Sequence, residues 1–249
     1  MKYFVCADPH GFYTIMRNAL EEKGFEVGNP DHKLIICGDI FDRGKEPYEM
    51  YKFLRSLGDQ FIFVRGNHED LYIDAYYEMM EAGYVYSYHH DSNGTTDTIN
   101  FFWAHDLAKD VKNWILEKSI DFFETDHYVF VHGWIPCEVT KMSGYTDFEY
   151  FPEWRDFTPG GSVWKRARWV CGMKAWHEGV VVPDKTVVCG HWHCGYGNME
   201  YHGEKTDNSV SRIMKPVVLS DHPFIDDGII ALDACTVYNK MVHVVVLED

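Results

Sequence analysis

Five short apolar runs punctuate this chain, and each is followed, at once or after one or two residues, by a side chain able to bind a metal ion. Tyr3 to Ala7 leads to Asp8, Leu34 to Cys37 to Asp39, and Phe61 to Val64 to Asn67. Tyr128 to Val131 leads to His132, and Thr186 to Cys189 to His191. Apolar runs of this length, bounded by Gly and charged residues, are the pattern of buried strands. In α/β architectures the loops beyond the carboxyl ends of strands converge, so residues placed there meet in space however far apart they lie in the chain. A fold that satisfies the pattern must gather all five ends at one edge. Surface polarity alone does not account for five such coincidences.

Between the first runs the periodicity turns helical. Phe12, Ile15, Met16, Ala19 and Leu20 share one face and Gly24 supplies a stop. Pro47 suits a first helical turn, with Met50, Phe53, Leu54 and Leu57 aligned before Gly58. Further helices are expected from Asn67 to about Met80 and from Leu107 to Phe123. The alternation is α/β, with an antiparallel tail: Ile229 to Ala234 and Val242 to Leu247, around Tyr238-Asn239-Lys240, read as a hairpin. Residues 134–180 break the alternation and are expected to form an aromatic-rich insertion packed near the site. Residues 195–227 are expected to be a polar excursion, within a single domain spanning 1–249. The tryptophans of the insertion (Trp134, Trp154, Trp164, Trp169 and Trp176) read as a satellite core under a long loop in preference to a surface that stacks a nucleobase.

Charge narrows the partners. A formal net charge of -16 speaks against duplex nucleic acid, which needs clustered Lys and Arg. A small phosphate ester stays compatible, because a bound divalent cation reverses the local field. The seven cysteines are odd in number, and Cys6, Cys37 and Cys189 fall inside apolar runs, the usage of reduced, buried thiols in a cytoplasmic protein. Cys189 and Cys194 flank His191 and His193 without CxxC spacing, so no structural zinc is expected there. The first apolar run is too short for a signal peptide and no stretch approaches a membrane span, so a membrane partner is not expected.

The strand-end blocks carry chemistry. Asp8-Pro9-His10 offers a carboxylate and an imidazole that can face one ion. Gly38 to Gly44 holds Asp39, Asp42 and Arg43: one carboxylate can bridge two cations, the other can orient a histidine, and the guanidinium can grip phosphate bidentately. In Gly66-Asn67-His68-Glu69 a neutral amide can complete a metal shell while the adjacent imidazole serves as a proton donor. His132, His191 and His193 bring three further imidazoles, a mixed N and O set that suits Mn, Fe or Zn better than Ca or Mg. His32, His89, His90, His127, His177, His202, His222 and His243 lack a strand-end setting, and with His105 they read as surface or packing residues.

In order, DPHG, GDIFDRG, RGNHE, VHG and GHWH resemble the five motif blocks of the calcineurin-like metallophosphoesterases. DRG with RGNHE resembles the serine/threonine protein phosphatase branch and its bacterial relatives. Asn93 to Thr98 is similar to an Asn-Gly block of the bacterial phosphatases, and the ending IIALDACTVYNKMVHVVVL resembles their closing strands. The resemblance implies a β-sandwich flanked by helices on both outer faces. It implies two divalent cations, manganese first with iron or zinc as alternatives: Asp8, His10 and Asp39 on one, and Asp39, Asn67, His132 and His191 on the other. His193 matches the last histidine of the wider superfamily's block and would join the first cation, a departure from the protein phosphatase branch. His68 matches the general acid, oriented by Asp42. Arg43 and Asn67 match phosphate-contacting residues, and Arg166 is the candidate second arginine with Arg168 as competitor. The implied activity is phosphate-ester hydrolysis by a hydroxide that the two metals activate. Its substrate would be a phosphorylated small molecule, a nucleotide or a phosphoprotein, with a phosphomonoester first. Symmetrical hydrolysis of dinucleoside tetraphosphates, nucleotide phosphodiester cleavage and a non-catalytic metal-binding scaffold are the alternatives.

Overall fold

The computed structural model describes residues 1–142, 145–204, 209–211 and 216–249. The first half runs β1 (Lys2–Cys6), α1 (Tyr13–Glu22), β2 (His32–Cys37), α2 (Pro47–Ser56), β3 (Phe61–Val64) and α3 (Asn67–Ala82), then helices α4 (Tyr88–Ser92), α5 (Thr95–Ala104) and α6 (Ala108–Lys118). Strands β4 (Ser119–Ile120), β5 (Phe123–Glu124) and β6 (Tyr128–Phe130) follow. The hairpin β7 (Cys137–Met142) and β8 (Tyr145–Tyr150) precedes α7 (Ser162–Ala167), α8 (Gly172–His177) and β9 (Thr186–Cys189). The chain closes with α9 (Cys194–His202), β10 (Ser209–Ser211), β11 (Pro216–Val218), β12 (Phe224–Asp226), β13 (Ile229–Ala231), α10 (Thr236–Asn239) and β14 (Val245–Glu248).

Two five-stranded sheets result, ordered β14-β1-β2-β3-β4 and β12-β13-β9-β6-β5. In the first, β1 to β4 are parallel and β14 is antiparallel to β1. In the second, β6, β9 and β13 are parallel between antiparallel edges. The strands alternate between two apolar environments because side chains point to opposite faces every second residue. Phe4, Cys6, Leu34 and Ile36 pack outward under α1, α2, α3 and α6, together with Met16, Leu54, Tyr72 and Ile115. Val5, Ala7, Ile35, Cys37 and Val64 face inward, where they meet Phe130, Val188, Ile230 and Leu232 of the other sheet. Val129, Val187 and Ile229 face outward again, under Trp134, Trp164 and Met173. Burial on both faces explains why the strands read as continuous apolar runs, each large side chain contributing roughly 1.5–3 kcal/mol. This is the helix-flanked sandwich expected from the sequence.

Three local expectations are corrected. Ile229–Ala231 and Val245–Glu248 do not pair with each other: β13 lies beside β9 in the second sheet and β14 beside β1 in the first. The link is α10, entered at Cys235 and left at Lys240, both at φ 56°, and it carries the chain from one sheet to the other. The helix expected to reach Phe123 stops at Lys118, where the chain enters β4. The polar excursion contains α9 and β12; its residues 205–208 and 212–215 lie outside the described residues. The seven cysteines are free thiols, and among the described residues no helix is long and apolar enough to cross a membrane.

Candidate metal centre

The parallel strands of both sheets deliver their carboxyl ends to one edge. Asp8 follows β1, Asp39 follows β2, Asn67 opens α3 after β3, His132 follows β6 and His191 follows β9. A sixth belongs with them. Asp233 stands two residues beyond β13, buried, close enough to Asp8 to affect its ionisation. The signal available in the sequence was its place directly after the apolar run Ile229 to Leu232, hidden when Ile229 to Ala234 is read as one strand.

The backbone at this edge is tightly wound. Asp8 (φ 53°), His10 (φ 47°), Asp39 (φ 58°), Arg43 (φ 74°) and His191 (φ 67°) all occupy the left-handed region that side-chain-bearing residues avoid. Such conformations persist where surrounding structure over-determines them, and they cluster at functional sites. Two glycines make room. A Cβ on Gly66 would sit 2.2 Å from an Asp39 carboxylate oxygen, and one on Gly190 would sit 2.2 Å from an oxygen of Asp8. Glu69, buried at the first turn of α3, accepts the N–H groups of Gly66, Asp39 and Ile40 at 2.7, 3.0 and 2.9 Å and so fixes the Asp39 loop to the helix. Burial, then the Asp39 charge, pushes the Glu69 carboxyl up to about 7. Glu69 stood in the sequence only as a neighbour of Asn67 and His68; its position three residues after a helix-start glycine was the signal.

Two groups of donors share Asp39. His10, Asp39 and His68 form one; Asp39, His132 and His191 form the other. The His132 Nε2 atom lies 3.3 Å from Asp39 Oδ1 and 2.7 Å from Asn67 Oδ1. Its Nδ1 lies 2.7 Å from the Cys37 carbonyl, which can only accept, so the ring proton sits there. The Nε2 lone pair therefore faces two oxygens. Protonating that nitrogen is opposed by burial, which outweighs Asp39 and lowers the His132 pKa. Burial likewise lowers His10, and holds His191 down at about 3. The buried His10 and His132 and the half-buried His191 thus favour the neutral, ligating form. For Asp39 burial acts upward, but His132, His68, His10 and His191 outweigh it and keep the carboxylate ionised. Asp8 is pushed well above the ordinary carboxylate range by burial and then by Asp233 and Asp39. Among the described residues, the buried Asp8 Oδ1, His10 Nδ1 and Asn67 Nδ2 atoms have no hydrogen-bond partner. Neutral imidazoles, an ionised carboxylate and an amide oxygen pointing at one another fit divalent cations of the transition series.

Beside these groups stands a second constellation. His68 Nδ1 is 2.6 Å from Asp42 Oδ2, and the Thr95 hydroxyl donates to that same oxygen at 2.6 Å. Burial lowers the His68 pKa, but Asp39 and the hydrogen bond to Asp42 outweigh it, so the net shift is upward. Arg43 Nη1 and Nη2 donate to His10 Nε2 at 2.9 Å and His68 Nε2 at 3.1 Å. Its Nε donates to the Asn93 carbonyl at 3.3 Å. Thr95 and Asn93 were not assigned these tasks from the sequence, although their segment was recognised.

The remaining candidates fall further out. Asp8 Oδ2 accepts the His191 N–H at 2.9 Å, but Asp8 belongs to neither donor group. His193, partly exposed, lies 3.8 Å from Asp233 and is likewise outside both. Arg166 is exposed and lines a cavity alongside the centre. Arg168 is buried and paired with Asp70 and Asp121, so its work is structural. Removing one partner of a buried ion pair leaves charge unpaired, typically costing about 3–5 kcal/mol. Arg168→Met should therefore lower stability by about that amount and Arg166→Met by less than about 0.5 kcal/mol, as measured by urea unfolding. Equal costs would remove the distinction.

Residues 1–210 match the family described as calcineurin-like phosphoesterase. Among curated proteins, the chain is 34% identical over 73 residues to a symmetrical bis(5'-nucleosyl)-tetraphosphatase of Aromatoleum aromaticum, covering 29% of this chain and 26% of that protein. It is 29% identical over 121 residues to the protein of the same name from Erwinia tasmaniensis, covering 48% and 39%. The chain thus spans about a quarter to two fifths of the length of these relatives. Among solved structures, the cold-active protein-tyrosine phosphatase of a psychrophilic Shewanella superposes over 100% of this chain and 75% of its own, with a TM-score of 0.55 at 15% identity, a likeness of fold.

Proposed function

Because this chain belongs to the calcineurin-like phosphoesterase family, we propose that it is a metal-dependent hydrolase of phosphate esters, acting first on monoesters. The observation that carries the reading is the pair of donor groups sharing Asp39, set against the His68–Asp42 pair and the Arg43 guanidinium. His10, Asp39 and Asp8 would hold one cation, with His193 closing on it, and Asp39, Asn67, His132 and His191 the other. Two such cations would supply Lewis acidity, withdrawing charge from phosphate oxygens and lowering the pKa of water.

The chain's own groups do the rest. Arg43 gives Nη1 to His10 and Nη2 to His68; with those ring nitrogens taken by a cation and a proton, the same two N–H groups would be free for a phosphate's non-bridging oxygens. Asp42 holds the Nδ1 proton of His68; once Arg43 Nη2 turns from Nε2 to the phosphate, that nitrogen would carry the proton that the departing alkoxide takes up. Thr95 fixes Asp42, and Asn93 tethers Arg43, so both reach the site already oriented. Arg43→Ala should cost about 10- to 150-fold in kcat/KM, the worth of a charge-assisted hydrogen bond. Steady-state kinetics on phenyl phosphate would measure it, and an unchanged value would remove Arg43 from the phosphate site.

The proposal as a whole is tested by stripping the protein with a chelator and restoring Mn, Fe or Zn one at a time, with monoesters, diesters and dinucleoside tetraphosphates as substrates. Monoester turnover that vanishes on chelation and returns with metal is the expected result. A preference for diadenosine tetraphosphate over every monoester would favour the reading suggested by the names of the curated relatives. Metal binding without turnover of anything would make the protein a scaffold.

A further inference from the structure

We propose that the cavity walled by the rings of Trp169 and Trp192 is a leaving-group subsite that takes a nucleobase, so that the substrate is a nucleotide with its phosphate toward His191. The inference rests on the phosphoesterase reading and names the substrate class for that site. The cavity holds about 760 Å³ between α7, α8 and the β7–β8 hairpin, with Phe148 and Phe151 on the far wall. That volume lies within the range of pockets that enclose a whole small-molecule ligand and exceeds the need of a single phenyl ring.

The tryptophans of this region divide sharply. Trp134, Trp154 and Trp164 are at most 2% exposed and belong to the core, as the sequence suggested, whereas Trp169 and Trp192 are each 43% exposed at the cavity. An exposed indole loses the burial that a core indole gains, and two at one cavity make a surface that a flat aromatic ring can cover. Both rings are fixed in place. Trp169 lies 5.5 Å from the His89 ring and 5.5 Å, edge-on at 86°, from the His191 ring. Trp192 lies 6.4 Å from His191 and 5.9 Å from Tyr196. Trp169, a wall of the cavity, thus packs edge-on against the His191 ring, so the cavity begins directly beside a candidate metal ligand. A base stacked here would have its phosphate at the centre.

Charge agrees. Arg166 and Lys174 line the cavity, and among the described residues neither side chain has an acidic partner, in a chain of net charge -16. Cations left unpaired beside an aromatic wall suit a ligand that carries both a ring and further phosphate charge. Glu138, on the hairpin, adds one acceptor for the amino group of a base.

The test uses the full chain loaded with Mn. Adenosine, which has no phosphate, should quench tryptophan fluorescence saturably and compete with phenyl phosphate. Trp192→Ala should lower kcat/KM for adenosine monophosphate relative to that for glycerol phosphate roughly 5- to 150-fold, the usual worth of one stacked base. Phe148→Ala, on the far wall, should shift the same ratio in the same direction, and it serves if the first variant does not fold. Adenosine that neither quenches nor competes, an equal loss on both esters, or a phosphotyrosine peptide that outruns every nucleotide would overturn the subsite. Absence of turnover on any ester would overturn the phosphoesterase reading instead, and adenosine quenching would then be scored alone as binding.

Discussion

Replacing Asp39 by asparagine should cut kcat/KM by on the order of 10³- to 10⁴-fold and remove at least one equivalent of bound metal. The reason is topological as much as chemical. Asp39 is the residue common to both donor groups, so its loss weakens both cations, each worth several kcal/mol of transition-state charge stabilisation at about 1.4 kcal/mol per decade. A distinct signature separates this from simple misfolding. The histidines that hold Asp39 ionised in the metal-free protein lose that partner in the variant, so metal-free Asp39→Asn should melt somewhat lower than metal-free wild type. Added Mn should raise the Tm of the wild type, by linkage worth about 2.7 kcal/mol at a hundred times Kd, and leave the variant nearly unmoved. Metal analysis and thermal unfolding with and without Mn decide the matter. A variant that keeps two equivalents and full activity would remove Asp39 from the centre.

His68→Asn should retain metal and fold while losing about 10²- to 10⁴-fold in kcat, the usual contribution of general acid–base catalysis. His68 also falls within reach of Asp39, 3.7 Å away, so a ligand role is the competing assignment. The two are separated by the leaving group. Proton donation matters for an alkoxide and little for p-nitrophenolate, so the loss should be large on alkyl phosphates and small on p-nitrophenyl phosphate. A ligand role predicts similar losses on both and less metal. Measuring kcat on the two esters together with metal content gives the answer, and equal retention of activity on both would show that His68 is not the acid.

The extent to which this arrangement was legible follows from the distance over which each signal acts. Asp8, Asp39, Asn67, His132 and His191 were legible because a buried parallel strand is an apolar run and its loop begins where the run stops. The sandwich itself came with the family resemblance, since alternation alone does not say that strands divide between two sheets. Asp233 was missed because β13 and β14 look like neighbours in sequence, and only the left-handed residues on either side of α10 send them to different sheets. Thr95 and Asn93 reach Asp42 and Arg43 across some fifty positions, beyond any local pattern. Trp169 and Trp164 are equally aromatic in sequence; what distinguishes them is that Trp164 lies on the buried side of α7, whereas Trp169 falls beyond the end of that helix.

Five of the side chains at this edge are held at positive φ, and that has a consequence for how the protein would respond to selection. A left-handed conformation costs a side-chain-bearing residue roughly 1–2 kcal/mol, so glycine at Asp8, His10, Asp39, Arg43 or His191 would shed strain. A library screened for heat resistance alone, without metal, should drift toward glycine or asparagine at these positions. Its winners would be sturdier and inert. Evolution of heat tolerance that keeps the chemistry must instead find its gains elsewhere in the chain, leaving this edge as the protein's fixed thermal debt.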